Sequence, residues 1–162
     1  MSEPLKLYWD ACPLISYFQQ VPEYINALRE HVERGKKGQC VIITSTISYA
    51  EVYKLPELGG LAIEQSRRIL DFLTRNNFVL AWQADRWVCE EAHDIMRLHS
   101  GLLPLDAIHL ATALQAKCDY LITTDRKQGR RRGLIPHDGR VGDPPMKIQL
   151  PNVGMFLPLP GM

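Results

Sequence analysis

No apolar run in this 162-residue chain approaches the roughly 20 residues that a membrane-spanning helix requires. The opening segment, MSEPLKLYWD, lacks a basic stretch followed by a long apolar one, so a signal peptide is not expected and a cytoplasmic protein is. An excess of one charge is also missing: 19 Lys and Arg stand against 18 Asp and Glu, a formal net charge of +1. Bulk charge therefore argues against a generally basic nucleic-acid binder, and any such binding has to use a local patch. Cysteine is limited to Cys12, Cys40, Cys89 and Cys118, with no CxxC pair, which argues against zinc. Cys12, Cys40 and Cys118 lie in or beside apolar segments and read as small buried thiols of a cytosolic protein. His31, His93, His99 and His137 show no metal-ligand spacing, and no internal repeat is present.

What is present fits an ordinary globular domain: 46% hydrophobic and 23% charged residues, in a length that favours one domain and encloses a core without staples. Leu5 to Trp9 reads as a first strand. A short helix from Leu14 to Gln20 follows, with Pro13 at its start. Glu23 to Lys36 is a second helix, presenting Tyr24, Ile25, Leu28 and Val32 on one side and ending at Gly35 and Gly38. Cys40 to Thr44 is a continuous apolar run, typical of a parallel strand buried on both faces. Further helices are expected from about Ser45 to Leu55, from Leu61 to Asn76 (core positions Ile63, Ile69, Leu70, Leu73) and from Asp85 to His99. Phe78 to Ala81 is a strand between the last two. Ala107, Leu110, Ala111 and Leu114 then recur at the helical period behind Pro104, and Tyr120 to Thr123 is a short buried strand. Strands alternating with helices predict an α/β fold with a mostly parallel sheet. From Gly133 onward prolines break any long element, although Met146 to Leu150 suits a terminal strand. The final NVGMFLPLPGM is apolar but incompatible with a helix, and suits crossing a surface or packing on a partner.

Ligands of open parallel sheets bind outside the carboxyl ends of the strands. Asp10 ends the first strand, Asp125 follows the Tyr120 strand, and Glu51 lies on the helix leaving the second strand. Asp106 opens the helix that feeds the Tyr120 strand. Each has an ordinary structural reading. Asp106 suits a helix N-cap or first turn, and Asp125 suits a turn. Ser48-Tyr49-Ala50-Glu51 fits a capping box with Ser48 as N-cap; alternatively the helix starts at Ser45 or Thr46 and Glu51 lies inside it.

The four segments together resemble the PIN domain family, in particular the VapC-type toxins, over roughly residues 5 to 135. Asp10 in LYWDACPLI resembles the family's first acid. Glu51 in TSTISYAEVYKL resembles its Glu, and Asp106 in LPLDAIHLATAL its third acid. Thr123 and Asp125 in DYLITTDRK resemble its closing T-x-D turn. Ala11 departs from the Ser or Thr that often follows the first acid, and the Pro-rich end is longer than the pattern. The resemblance implies a single PIN-like nuclease domain over residues 1–135, with residues 136–162 as a Pro/Gly-rich C-terminal segment. It also implies an RNA substrate, a cognate antitoxin and a homodimer.

Clustered carboxylates repel unless a cation compensates, and Mg²⁺ or Mn²⁺ takes oxygen ligands. Such ions activate water and neutralise charge on a phosphodiester. Asp10, Glu51, Asp106 and Asp125 are thus the candidate catalytic and metal-binding residues of an Mg²⁺- or Mn²⁺-dependent endoribonuclease. His109, three residues beyond Asp106, is a candidate general base, but packing or a helix-surface contact is the role expected of it. The cations Arg126, Lys127, Arg130, Arg131 and Arg132 directly follow Asp125 and are candidates for phosphate contact, against a solvated loop as the ordinary reading. Tyr8 and Trp9, beside Asp10, are candidates for base stacking, against the core.

Three rival readings stand beside the nuclease. A haloacid dehalogenase-type phosphatase wants a second Asp two residues after the first, where this chain has Cys12. A receiver-type domain wants paired early acids and a late Lys after a strand. A catalytically inactive PIN-like module that binds RNA or protein is the remaining alternative.

Overall fold

Leu7 and Trp9 bury their side chains on one face of the first strand, and Tyr8 buries its own on the other; all three are fully inaccessible. A strand alternates its side chains, so burial on both faces requires layers above and below the sheet. The computed structural model describes residues 3–53, 61–125 and 133–156 and shows both layers. The strands are β1 (Leu5–Trp9), β2 (Cys40–Ser45), β3 (Val79–Trp82), β4 (Tyr120–Ile122) and β5 (Lys147–Gln149). They form one all-parallel sheet in the order β3-β2-β1-β4-β5. The helices are α1 (Ala11–Phe18), α2 (Ile25–Lys36), α3 (Ser48–Glu51), α4 (Ile63–Arg75), α5 (Arg86–Leu98) and α6 (Pro104–Gln115). This is the single-domain α/β architecture expected from the alternating pattern.

Two cores follow from the alternation. Leu7, Trp9, Ile42 and Ile122 pack with Leu14 of α1, Leu28 and Val32 of α2, and Ile69 and Leu73 of α4. On the other face Tyr8, Ile43 and Leu121 pack with Val88, Ala92 and Ile95 of α5 and with Ala107, Leu110 and Ala111 of α6.

Several boundaries differ from the sequence expectation for identifiable reasons. The first helix begins at Ala11, because the Asp10 carboxylate caps it by accepting from the Cys12 N–H at 3.0 Å. The helix expected from Ser45 is reduced to the single turn α3, and the end expected at Leu55 lies outside the described residues. The Thr46 N–H is spent on the Trp82 carbonyl at 2.9 Å, and its hydroxyl accepts from the Ala84 N–H at 3.1 Å. Sheet-like bonding therefore runs past the end of β2 and delays the helix. Ser48 is not its cap: Ile47 holds that position, and the Ser48 hydroxyl bonds Thr44 Oγ1 at 2.8 Å. Ile63 is 65% exposed at the start of α4 rather than in the core. Tyr8 and Trp9 belong to the core, which removes them as base-stacking surfaces.

The chain end packs on its own fold as far as it is described. Gly154 N–H donates to Glu30 of α2 at 3.0 Å, and the Phe156 ring lies edge-on to His31, with the Arg34 guanidinium over it. No disulfide forms among the described residues; Cys40 and Cys118 are buried, Cys12 is half-buried and Cys89 is exposed. No helix among the described residues is long and apolar enough to cross a membrane.

Candidate active site

In the strand order, β2 and β4 flank β1 on opposite sides, so connections diverge there and leave a crevice at the carboxyl edge of the sheet. Asp10 stands at the floor of that crevice, 3% exposed. Its N–H donates to the Ile122 carbonyl at 3.4 Å, which keeps it paired with the end of β4. Asp125 follows β4 through a tight turn in which its N–H donates to the Thr123 hydroxyl at 3.2 Å. Ser16 of α1 and Thr124 share a hydroxyl bond at 3.0 Å, tying that turn to the helix Asp10 caps. Asp106 occupies the first turn of α6, where the helix dipole favours a negative charge. Glu51 is the last residue of α3.

Asp10, Glu51, Asp106 and Asp125 line one open cleft of about 450 Å³, together with Ala11, Cys12, Ile15, Tyr53, Leu105 and His109. A larger concavity of about 540 Å³ lies at the opposite edge, where Lys117 and Lys147 accompany Asp119 and Asp143. The acid-lined cleft is the better functional candidate, because four carboxylates converge there and the pKa of one of them, Asp10, is shifted. The arginine-rich candidates Arg126, Lys127, Arg130, Arg131 and Arg132 lie outside the described residues.

The electrostatics single out Asp10. Its carboxyl is raised to about 6: burial is the largest cause, His109 and hydrogen bonds from Thr123 and the Cys12 N–H offset part of it, and nearby Asp106 adds to the rise. The Thr123 hydroxyl thus serves both Asp10 and the Asp125 turn. Tyr8 is raised well above its ordinary range, first by burial and then by the Asp10 charge, so its hydroxyl keeps its proton.

His109 was expected in packing or at a helix surface; it is packed in the core, not at a surface, and it also bonds two side chains. The ring is 2% exposed; Nδ1 lies 2.6 Å from the Tyr8 hydroxyl and Nε2 lies 2.6 Å from Glu51 Oε2. Its sequence signal was its position three residues after Asp106, which puts both side chains on one side of α6. The partner was hidden because Glu51 is 58 residues away in the chain.

The donor set suits a hard divalent cation: four carboxylates line one cleft, and burial, with Asp106 adding to it, holds the Asp10 carboxyl up to about 6. Among the described residues no three acid, His or Cys side chains close around a common point as direct ligands. Mg²⁺ binds through one or two carboxylates and completes its shell with water and phosphate oxygens, so the four carboxylates lining the cleft supply donors of the right chemistry.

Comparison with solved structures supports the fold. VapBC2 from Rickettsia felis, solved bound to a DNA fragment from its promoter, matches with a TM-score of 0.58 at 14% identity, covering 91% of this chain and 100% of that one. DNA-bound VapBC from Salmonella typhimurium matches with a TM-score of 0.57 at 16% identity, covering 90% and 98%. The comparison with curated proteins finds no match. The PIN domain family model matches residues 8–134, from Tyr8 beside the first acid to Leu134 beyond the fourth, and the chain belongs to the PIN domain family.

Proposed function

We propose that this protein is an Mg²⁺- or Mn²⁺-dependent endoribonuclease, acting as the toxin of a toxin–antitoxin pair. The observation that carries the reading is the convergence of Asp10, Glu51, Asp106 and Asp125, from four separate elements, on one cleft of a PIN fold. When bound, the cation supplies an activated water and neutralises charge on the scissile phosphodiester. The chain supplies the rest. Asp10 is the most deeply buried of the four acids and is fixed by the Cys12 N–H, so it offers a preset anchor at the floor. Asp106 and Asp125 approach from α6 and from the turn after β4. Glu51 approaches from α3 with one oxygen already bonded to His109. The basic residues after Asp125 are proposed to hold the RNA backbone. The two VapBC neighbours support an antitoxin as protein partner.

Cleavage of a mixed RNA substrate in Mn²⁺, Mg²⁺ and EDTA tests this reading. Asp10→Asn and Asp106→Asn should each abolish metal-dependent cleavage while the far-UV spectrum stays native. Undiminished cleavage in either variant overturns the assignment. RNA binding that persists in EDTA, with no cleavage under any metal, returns the chain to the non-catalytic alternative.

A further inference from the structure

α3 is a single turn of four residues, too short to hold itself, yet it carries one of the four acids. Its anchors are the Thr44–Ser48 hydroxyl bond and the fully buried Val52. Neither touches the Glu51 carboxylate. What touches it is His109 Nε2, at 2.6 Å from Oε2. Behind the imidazole stands Tyr8, whose hydroxyl meets Nδ1 at 2.6 Å and whose ring meets the imidazole edge-on at 5.7 Å. Tyr8 and His109 are 0% and 2% exposed, whereas the Glu51 side chain is 21% exposed. The chain of bonds thus runs from the core outward to the cleft.

An ionised Glu51 only accepts, so Nε2 carries the proton between them; Nδ1 and the Tyr8 hydroxyl bond each other in whichever direction the ring's protonation sets. One carboxylate oxygen of Glu51 is committed to His109, and Oε1 remains as the acceptor available to the cleft. The origins of the three residues add to this. Tyr8 lies on β1, which delivers Asp10. His109 lies on α6, which delivers Asp106. Glu51 ends α3. Three of the four acid-bearing elements are therefore joined by two short bonds.

We propose that Tyr8 and His109 are positioning residues that orient the Glu51 carboxylate for metal binding in the acidic cleft. This rests on the reading of Glu51 as one of the acids that hold the cation. The fixed imidazole restricts the carboxylate to one rotamer, so the cation meets a preset oxygen instead of a mobile one. Outer partners of this kind change metal affinity by about 10–100-fold when removed.

The test is a double-mutant cycle read by Mn²⁺ affinity, measured by electron paramagnetic resonance well below the melting temperature. Tyr8→Phe keeps the ring and removes only the hydroxyl. It should weaken Mn²⁺ binding about tenfold or more. In a Glu51→Gln background the same change should have no further effect, because Tyr8 acts through Glu51. In an Asp125→Asn background the effect should persist. A merely structural Tyr8 gives additive losses in both backgrounds, and that result overturns the proposal. If Tyr8→Phe does not fold, His109→Gln is put through the same cycle with the same expectations. Loss of binding in Glu51→Gln with full binding in Tyr8→Phe overturns this proposal alone. Absence of Mn²⁺ binding by the unaltered protein overturns both this proposal and the metal-dependent reading beneath it.

Discussion

The Trp9 indole N–H donates to His31 Nδ1 across 3.3 Å inside the core, with the Phe156 ring edge-on to the imidazole. The bond leaves the His31 proton on Nε2, which has no hydrogen-bond partner among the described residues. Burial lowers the His31 pKa to about 4, against 6.5 for the free side chain. The unfolded chain therefore takes up the proton first as pH falls. Stability from a neutral His31 is fully present above about pH 6.5 and declines toward pH 4, by on the order of 3 kcal/mol over the interval. Urea unfolding at pH 4.5 and 7 checks this. His31→Leu should flatten the acid-side loss relative to the unaltered protein, and an unchanged pH dependence would refute the buried neutral ring.

Asp10 has the opposite sign. Its carboxyl titrates near 6 in the folded protein and at 3.8 when free, chiefly through burial. It contributes stability below about pH 3.8 that is lost as pH rises through 6. At neutral pH its charged form costs up to about 3 kcal/mol. Asp10→Asn keeps an oxygen for the Cys12 N–H and removes the charge. In EDTA it should melt higher than the unaltered protein, by about 1–3 kcal/mol of stability at pH 7. Mn²⁺ should raise the melting temperature of the unaltered protein by binding the folded state, and raise the variant's less. Equal metal responses would count against Asp10 as part of a cation site.

Gly35 lies on α2 where a Cβ would run into the Phe78 ring. Ala gains about 1 kcal/mol of helix propensity there, but moving a packed aromatic ring costs about 1–3 kcal/mol. Gly35→Ala should be net destabilising, and adding Phe78→Leu should recover part of the loss. A melting curve unchanged by Gly35→Ala would show that the ring relaxes freely.

Arg130, Arg131 and Arg132 follow Asp125 closely in a chain of formal net charge +1. Phosphate contacts release counterions, so RNA affinity should fall steeply with salt. Changing the three to Gln should weaken unrelated RNAs about equally and flatten the salt slope, with sequence preference little changed. Affinity against salt for both proteins is the measurement. Identical slopes would return the run to the role of a solvated loop.

Local pattern was enough to make the layered architecture legible and to pick out four carboxylates as candidates. Cys40 to Thr44 is apolar at nearly every position because a parallel strand between two helix layers has no wet face, so the run announced a buried strand. Helical spacing behind Pro104 announced α6 for the same local reason. The four carboxylates stood out because each sits beside the end of an element whose pattern is local. What those carboxylates touch follows from the packing of distant elements. Thr46 gives its N–H to Trp82, so α3 starts late and ends on Glu51. Tyr8 and Trp9 look alike as neighbours in sequence, yet they face opposite layers and reach different histidines, His109 and His31. Those pairs are separated by 101 and 22 residues, and the Glu51–His109 pair by 58. Periodicity reports which face of an element is apolar, whereas a hydrogen bond between distant elements depends on sheet order and register, which are set by packing the whole chain at once.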